Sequence, residues 1–94
     1  MANTALQLRI SGKVQGVGYR DWAVKAATDL QLSGWVRNRA DATVEALVAG
    51  DEAAVKEFIA QCYKGPVMAK VTAIDSKNIS ISEVPAGFVR KLTA

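Results

Sequence analysis

The stretch Leu6–Leu30, LQLRISGKVQGVGYRDWAVKAATDL, changes its hydrophobic period part-way along, and that change decides the fold. From Leu6 to Ser11, apolar Leu6, Leu8 and Ile10 alternate with polar Gln7, Arg9 and Ser11, the period of a strand with one buried face. Gly12, Gly16 and Gly18 then punctuate a loop that ends near Arg20. Beyond it Trp22, Ala23, Ala26, Ala27 and Leu30 recur at helical spacing, which predicts a helix over about Asp21 to Leu32.

Outward from this βα unit, Gly34 supplies a stop signal for the helix, and two β-prone runs, Trp35–Asn38 and Thr43–Ala49, read as a hairpin. Gly50 and Asp51 open a second helix over about Asp51 to Tyr63, with Val55, Phe58, Ile59 and Cys62 on one face. Lys64-Gly65-Pro66 ends it. Val71, Ala73 and Ile74, then Ile79 and Ile81, predict more strand with a polar interruption around Ser76 to Asn78, and Phe88 to Leu92 can add a short fifth strand. The order βαββαβ, folded with right-handed crossovers, predicts an α+β ferredoxin-like sandwich: an antiparallel sheet with two helices on one face. The 94 residues, without repeat or linker, predict a single domain over 1–94.

Composition narrows the function classes. Half of the residues are hydrophobic, and the charges are well mixed, as in ordinary globular chains. Met1 to Arg9 shows no basic segment followed by a long apolar stretch, and no apolar run approaches membrane-spanning length, so the expectation is a cytoplasmic protein without a membrane partner. One cysteine, Cys62, and no histidine exclude an internal disulfide and the usual Cys/His zinc sites. The net charge of +3 is spread along the chain and does not by itself select a partner.

The glycine-rich loop carries the first functional signal. Between a strand and a helix, glycines allow positive φ and close backbone approach, so that the N–H groups of Gln15, Gly16, Val17, Gly18 and Tyr19 can converge on a phosphate. Arg20 can add a bidentate guanidinium contact. The same pattern also fits a tight βα turn in which Arg20 is a solvated helix-start residue. A Walker A loop is excluded because no Gly-Lys-Ser/Thr follows Gly16 and Gly18. The dinucleotide fingerprint fails because the residue three beyond Gly18 is Asp21.

A second segment, Gly34-Trp35-Val36-Arg37-Asn38, leads through Arg39-Ala40-Asp41-Ala42 into Thr43-Val44-Glu45. Together with Gly12-Lys13-Val14-Gln15-Gly16-Val17-Gly18-Tyr19-Arg20 it resembles the acylphosphatase family, whose two hallmark segments read approximately Gly-x-Val-Gln-Gly-Val-Gly-Phe/Tyr-Arg and Gly-Trp/Phe-Val-x-Asn-x-x-x-Gly-x-Val-Glu. The resemblance runs from Leu6 to the region of Phe88. It implies a hydrolase that splits the carboxyl-phosphate bond of acyl phosphates without metal or cofactor, with Arg20 binding phosphate, Gln15 to Tyr19 forming its cradle, and Asn38 orienting the attacking water. Inorganic phosphate is then product and competitive inhibitor, and a monomer is the expected state.

The chain departs from the family pattern at two places. Ala42 stands where a glycine is usual in the hairpin connection, at a cost on the order of 1 kcal/mol if the φ is positive. The C-terminal Phe88-Val89-Arg90-Lys91 puts a charge where an apolar residue usually alternates, which leaves the register and end of the last strand open.

The side-chain inventory suits this chemistry. The leaving group is a carboxylate, stable unprotonated at neutral pH, so no general acid is needed and the lack of histidine is no objection. Asn38 carries both an acceptor and a donor with which to hold a water. A cysteine-nucleophile phosphatase would need arginine six positions beyond Cys62, where the chain has Met68, so Cys62 reads as core packing. No Asp-x-Asp cluster suggests an aspartyl-phosphate or magnesium mechanism. Trp22 and Trp35 read as core or core-edge residues. Two rivals share the pattern: a nucleic-acid-binding module of the same element order, and a phosphate-binding module without turnover. The first is disfavoured because Leu6–Ser11 and Thr43–Ala49 hold no aromatic residue on which bases could stack.

Overall fold

A computed structural model describes residues 3–93. Its elements are β1 (Asn3–Lys13), α1 (Tyr19–Asp29), β2 (Ser33–Asn38), β3 (Val44–Asp51), α2 (Glu52–Lys64), β4 (Lys70–Asn78) and β5 (Phe88–Arg90), with one 3-10 turn at Ile81–Glu83. The five strands form one sheet in the order β4-β1-β3-β2-β5. Leu8, Ile10, Val36, Val44, Ala46 and Val48 turn one face of the sheet toward the helices. There they meet Ala23, Ala26 and Ala27 of α1 and Val55, Phe58 and Cys62 of α2 in a single buried cluster. The expected α+β ferredoxin-like sandwich is the observed one. The small alanine face of α1 lets that helix lie over β2 and β5, and α2 covers β3 and β4.

The fifth strand corrects the expectation of a wholly antiparallel sheet. The first four strands pair antiparallel, but β5 runs parallel to β2, with Gly34 opposite Phe88 and Val36 opposite Arg90, so the sheet is mixed. The cause is the path of the chain. Leaving β4 at one edge, residues 79–87 cross the end of the sheet, where Ile79 N–H donates to the carbonyl of Ala5 and Gly34 N–H to that of Gly87. A strand entered from that end must rise in the direction of β2.

Strand four also differs. It is continuous through Ser76–Asn78, and Ile79 and Ile81 lie beyond it, Ile81 half-exposed in the 3-10 turn. Its polar residues sit on an edge strand that faces solvent, and pairing with β1 from Leu6↔Asn78 to Lys13↔Lys70 holds them extended where propensity alone suggests a break.

Helix α1 ends before the predicted Leu32, and Gly34 lies inside β2 rather than stopping it. The stop is made at Gln31, whose φ is +59°: Gln31 N–H donates to the carbonyl of Thr28 and Leu32 N–H to that of Ala27, the two bonds of a Schellman motif. Gly34 serves the sheet instead, because a Cβ there would sit 1.8 Å from the carbonyl oxygen of Leu47 on β3.

Candidate active site

The end of the sheet opposite the crossing segment holds a cavity of about 100 Å³ lined by Val14, Gly16, Gly18, Tyr19, Arg20, Asp21, Asn38 and Arg90. Four elements meet there: the end of β1, the start of α1, and the ends of β2 and β5. Helix α1 begins two residues earlier than periodicity suggests, at Tyr19, because Gly18 takes a left-handed φ of +77° and breaks the loop into the helix. Gly16 does likewise at +73°, and a Cβ at either glycine would meet open space, so both are required by backbone conformation and not by packing. Left-handed residues at alternate positions turn successive N–H groups to one side and form an anion-binding nest. Gly18 as N-cap has no side chain to occupy the helix's first amides, which remain free at its positive end.

Arg20 lines this cavity, and its Nη1 donates to the carbonyl oxygen of Lys91 at 3.3 Å, which anchors the guanidinium to the segment after β5. Among the described residues no carboxylate pairs with it, so its other N–H donors are uncommitted. Asn38 is the last residue of β2 and lines the same cavity. The hairpin turn beside it is closed by other groups: Asp41 accepts from the N–H and Oγ1 of Thr43, and Arg39 N–H donates to the carbonyl of Thr43. Arg20 and Asn38, separate in sequence, are therefore brought together.

The remaining predicted cradle residues divide by what their side chains do. Gln15 is not among the lining residues: its carboxamide donates to the carbonyls of Arg39 (2.8 Å) and Thr43 (2.9 Å), strapping the loop to the hairpin that carries Asn38. Val17 packs against the core and pins the loop from beneath. Tyr19 is buried, with its hydroxyl donating to the carbonyl of Cys62 and its ring 5.3 Å from that of Trp22; burial pushes its phenol far above the ordinary value. The side chains of Gln15, Val17 and Tyr19 are thus committed elsewhere, which leaves only their backbone for the expected cradle. Cys62 is buried on α2, and burial pushes its thiol up to about 12, so it is a packing residue, not a nucleophile.

Asp21 and Arg90 also line the cavity and were not among the expected site residues. Asp21 was legible in principle, one residue beyond Arg20. Arg90 was not, because its place depends on the parallel pairing of β5 with β2.

Strands β1 and β3, neighbours in the interior of the sheet, hold no aromatic residue and so offer no base-stacking platform. Trp35 lies on the helix-free face, buried under the cations of Arg37 and Lys91 at 4.7 and 4.8 Å from its ring. No helix among the described residues is long and apolar enough to cross a membrane.

Comparison with known proteins supplies the family. The sequence pattern of the acylphosphatase family matches residues 6–89. The chain belongs to the acylphosphatase family. An acylphosphatase of Acidiphilium cryptum (strain JF-5) is 54% identical over 91 residues, covering 95% of this chain and 97% of that one. The acylphosphatase of Rhodospirillum rubrum is 51% identical over 86 residues, covering 92% and 93%. Among solved structures, an acylphosphatase from Coxiella burnetii superposes with a TM-score of 0.89 at 31% identity, covering 95% of this chain and 93% of the other. As an acylphosphatase the chain is a hydrolase of the ferredoxin-like class, and the nucleic-acid reading finds no support.

Proposed function

We propose that this acylphosphatase hydrolyses small acyl phosphates by direct attack of water on phosphorus, with the phosphoryl group held between the loop 14–18, Arg20 and the first turn of α1. The observation that carries this reading is the convergence of free helix-start amides, an uncommitted guanidinium and a strand-end carboxamide on one cavity. A cavity of about 100 Å³ is below the usual size of a small-molecule pocket, so it takes the phosphoryl end and leaves the acyl group outside.

Phosphoryl oxygens accept from the loop amides and from Arg20, each charge-assisted bond contributing about 1.5 to 3 kcal/mol. The carboxamide oxygen of Asn38 accepts a hydrogen bond from a water, which holds a lone pair of the water oxygen aimed at phosphorus. As the new P–O bond forms, the bond from phosphorus to the acyl oxygen breaks, the carboxylate departs with the electron pair, and the proton of the water passes to solvent. Positioning and charge stabilisation supply the catalysis, as expected for a loose phosphoryl-transfer transition state. The reading includes no metal or cofactor, one domain over 1–94, and a monomeric cytoplasmic enzyme for which inorganic phosphate is product and competitive inhibitor.

Hydrolysis of acetyl phosphate in ¹⁸O-labelled water with excess chelator tests it. The expected result is full turnover with the label in inorganic phosphate and none in acetate, and competitive inhibition by added phosphate. Label in acetate, or turnover lost to the chelator, contradicts the mechanism; phosphate binding without turnover would make this a binding module.

A further inference from the structure

Asp21 is the third residue of α1 after its N-cap, Gly18. An acidic side chain at that position characteristically reaches back to the N-cap N–H, the arrangement of a capping box. Here those amides belong to the phosphate cradle, and Asp21 lines the same cavity as Arg20 and Asn38. Left to itself the carboxylate is both a like charge beside a phosphate dianion and a competitor for the same helix end.

Arg90 stands on the facing wall. β5 sets it opposite Val36, two residues before Asn38 on β2, and its Nη1 donates to Asp21 Oδ1 at 2.9 Å. Among the described residues no other cation pairs with Asp21. The side chains are 50% and 74% exposed, so as a surface salt bridge the pair adds little to stability. Its location at the cavity, between the last strand and the first turn of α1, points to a different use.

We propose that Arg90 is a positioning residue of the phosphate site, holding the Asp21 carboxylate away from the cradle amides and offsetting its charge. The proposal deepens the reading of this cavity as a phosphate site and rests on it. Arg20 is free to meet the ligand directly, whereas Arg90 acts through Asp21. Its removal therefore harms binding only while the carboxylate is present.

A double-mutant cycle on the full chain tests this, with inorganic phosphate as the probe. Its dissociation constant is measured by calorimetry, and kcat and KM for acetyl phosphate are measured alongside. Arg90→Gln raises the phosphate dissociation constant and KM about three- to tenfold, as coupled charged neighbours do, and changes kcat less than about twofold. Arg90→Lys keeps most of the affinity. Asp21→Asn in the Arg90→Gln background returns both constants to within about twofold of the starting protein, and the loss in Arg90→Gln shrinks as salt rises from about 0.05 to about 0.5 M. Unchanged phosphate affinity in Arg90→Gln overturns the proposal. So does a loss that Asp21→Asn does not reverse, since Arg90 would then touch the phosphate itself. Calorimetry reports on the pair whether or not acetyl phosphate is hydrolysed, so a failure of the enzymatic reading appears only in the turnover assay. A chain that binds no phosphate at all overturns both.

Discussion

Arg20 differs from the other arginines around it in what it is bonded to. Arg37 and Arg39 are committed to Glu45, and Arg90 to Asp21, whereas Arg20 is steadied only by the carbonyl of Lys91. Arg20→Ala should therefore weaken inorganic phosphate as a competitor and raise KM while also lowering kcat. Arg20→Lys should recover little of this, because a point charge cannot reproduce the planar fork. Steady-state kinetics with added phosphate reads both. Ala42 offers a test without chemistry. Its φ is +74°, so the hairpin keeps its left-handed position in spite of the methyl group. Ala42→Gly should stabilise the protein by about 1 kcal/mol, seen as a rise of about 4–8 °C in Tm, with turnover unchanged. Arg20 could be singled out from sequence because a glycine-rich strand-to-helix loop is local. Gln15 shows the limit of that reasoning: its position in the loop was legible, but its side chain bonds to carbonyls 24 and 28 residues away, which no local pattern records.

The loop 14–18 and the β2–β3 hairpin act as a pair, and the Gln15 strap makes them so. Replacing Gln15 by Ala removes two hydrogen bonds from backbone carbonyls and frees the loop from the hairpin that carries Asn38. A displacement of about 1 Å at a catalytic centre can cost about 10²-fold, so kcat/KM for acetyl phosphate should fall by about ten- to a hundredfold while Tm drops only by the few degrees expected of two partly exposed bonds. A variant with undiminished kcat/KM would show that the strap does not position the site. From sequence, β1 through α2 were readable because each carries its own period, whereas the stop of α1 at Gln31 is made by a left-handed non-glycine residue that carries no stop signal. Strand β4 was broken in prediction because seven of its nine residues are exposed and polarity there mimics a loop. The direction of β5 depends on where the crossing segment 79–87 emerges, a fact of the tertiary path and not of Phe88–Arg90.

Taken whole, the molecule uses the two faces of its sheet differently and places its chemistry at one end. The helix-covered face supplies an apolar core. The other face carries Glu45, nearly buried, bonded by Gln7, Arg37 and Arg39. Burial works to raise its carboxyl, but the bonds from Gln7, Arg39 and Arg37 prevail and hold it below the ordinary glutamate value. A carboxyl depressed in the folded state stabilises above its unfolded pKa, near 4.3, and loses that contribution as pH falls through the folded value. Urea midpoints should thus decline below about pH 5, and Glu45→Gln should flatten that decline while lowering stability at pH 7 by about 2 kcal/mol. At the cavity end, Arg20 arrives on α1, Asn38 on β2 and the Lys91 anchor from the end of β5, so the site exists only when the sheet is complete. The decisive measurement is kcat for acetyl phosphate at saturation in Asn38→Ala, with inorganic phosphate affinity determined in parallel. The role proposed for Asn38, to hold the water and not the phosphoryl group, predicts a kcat lower by about 10²- to 10³-fold with phosphate affinity retained. A kcat within about twofold of the unsubstituted enzyme would contradict it.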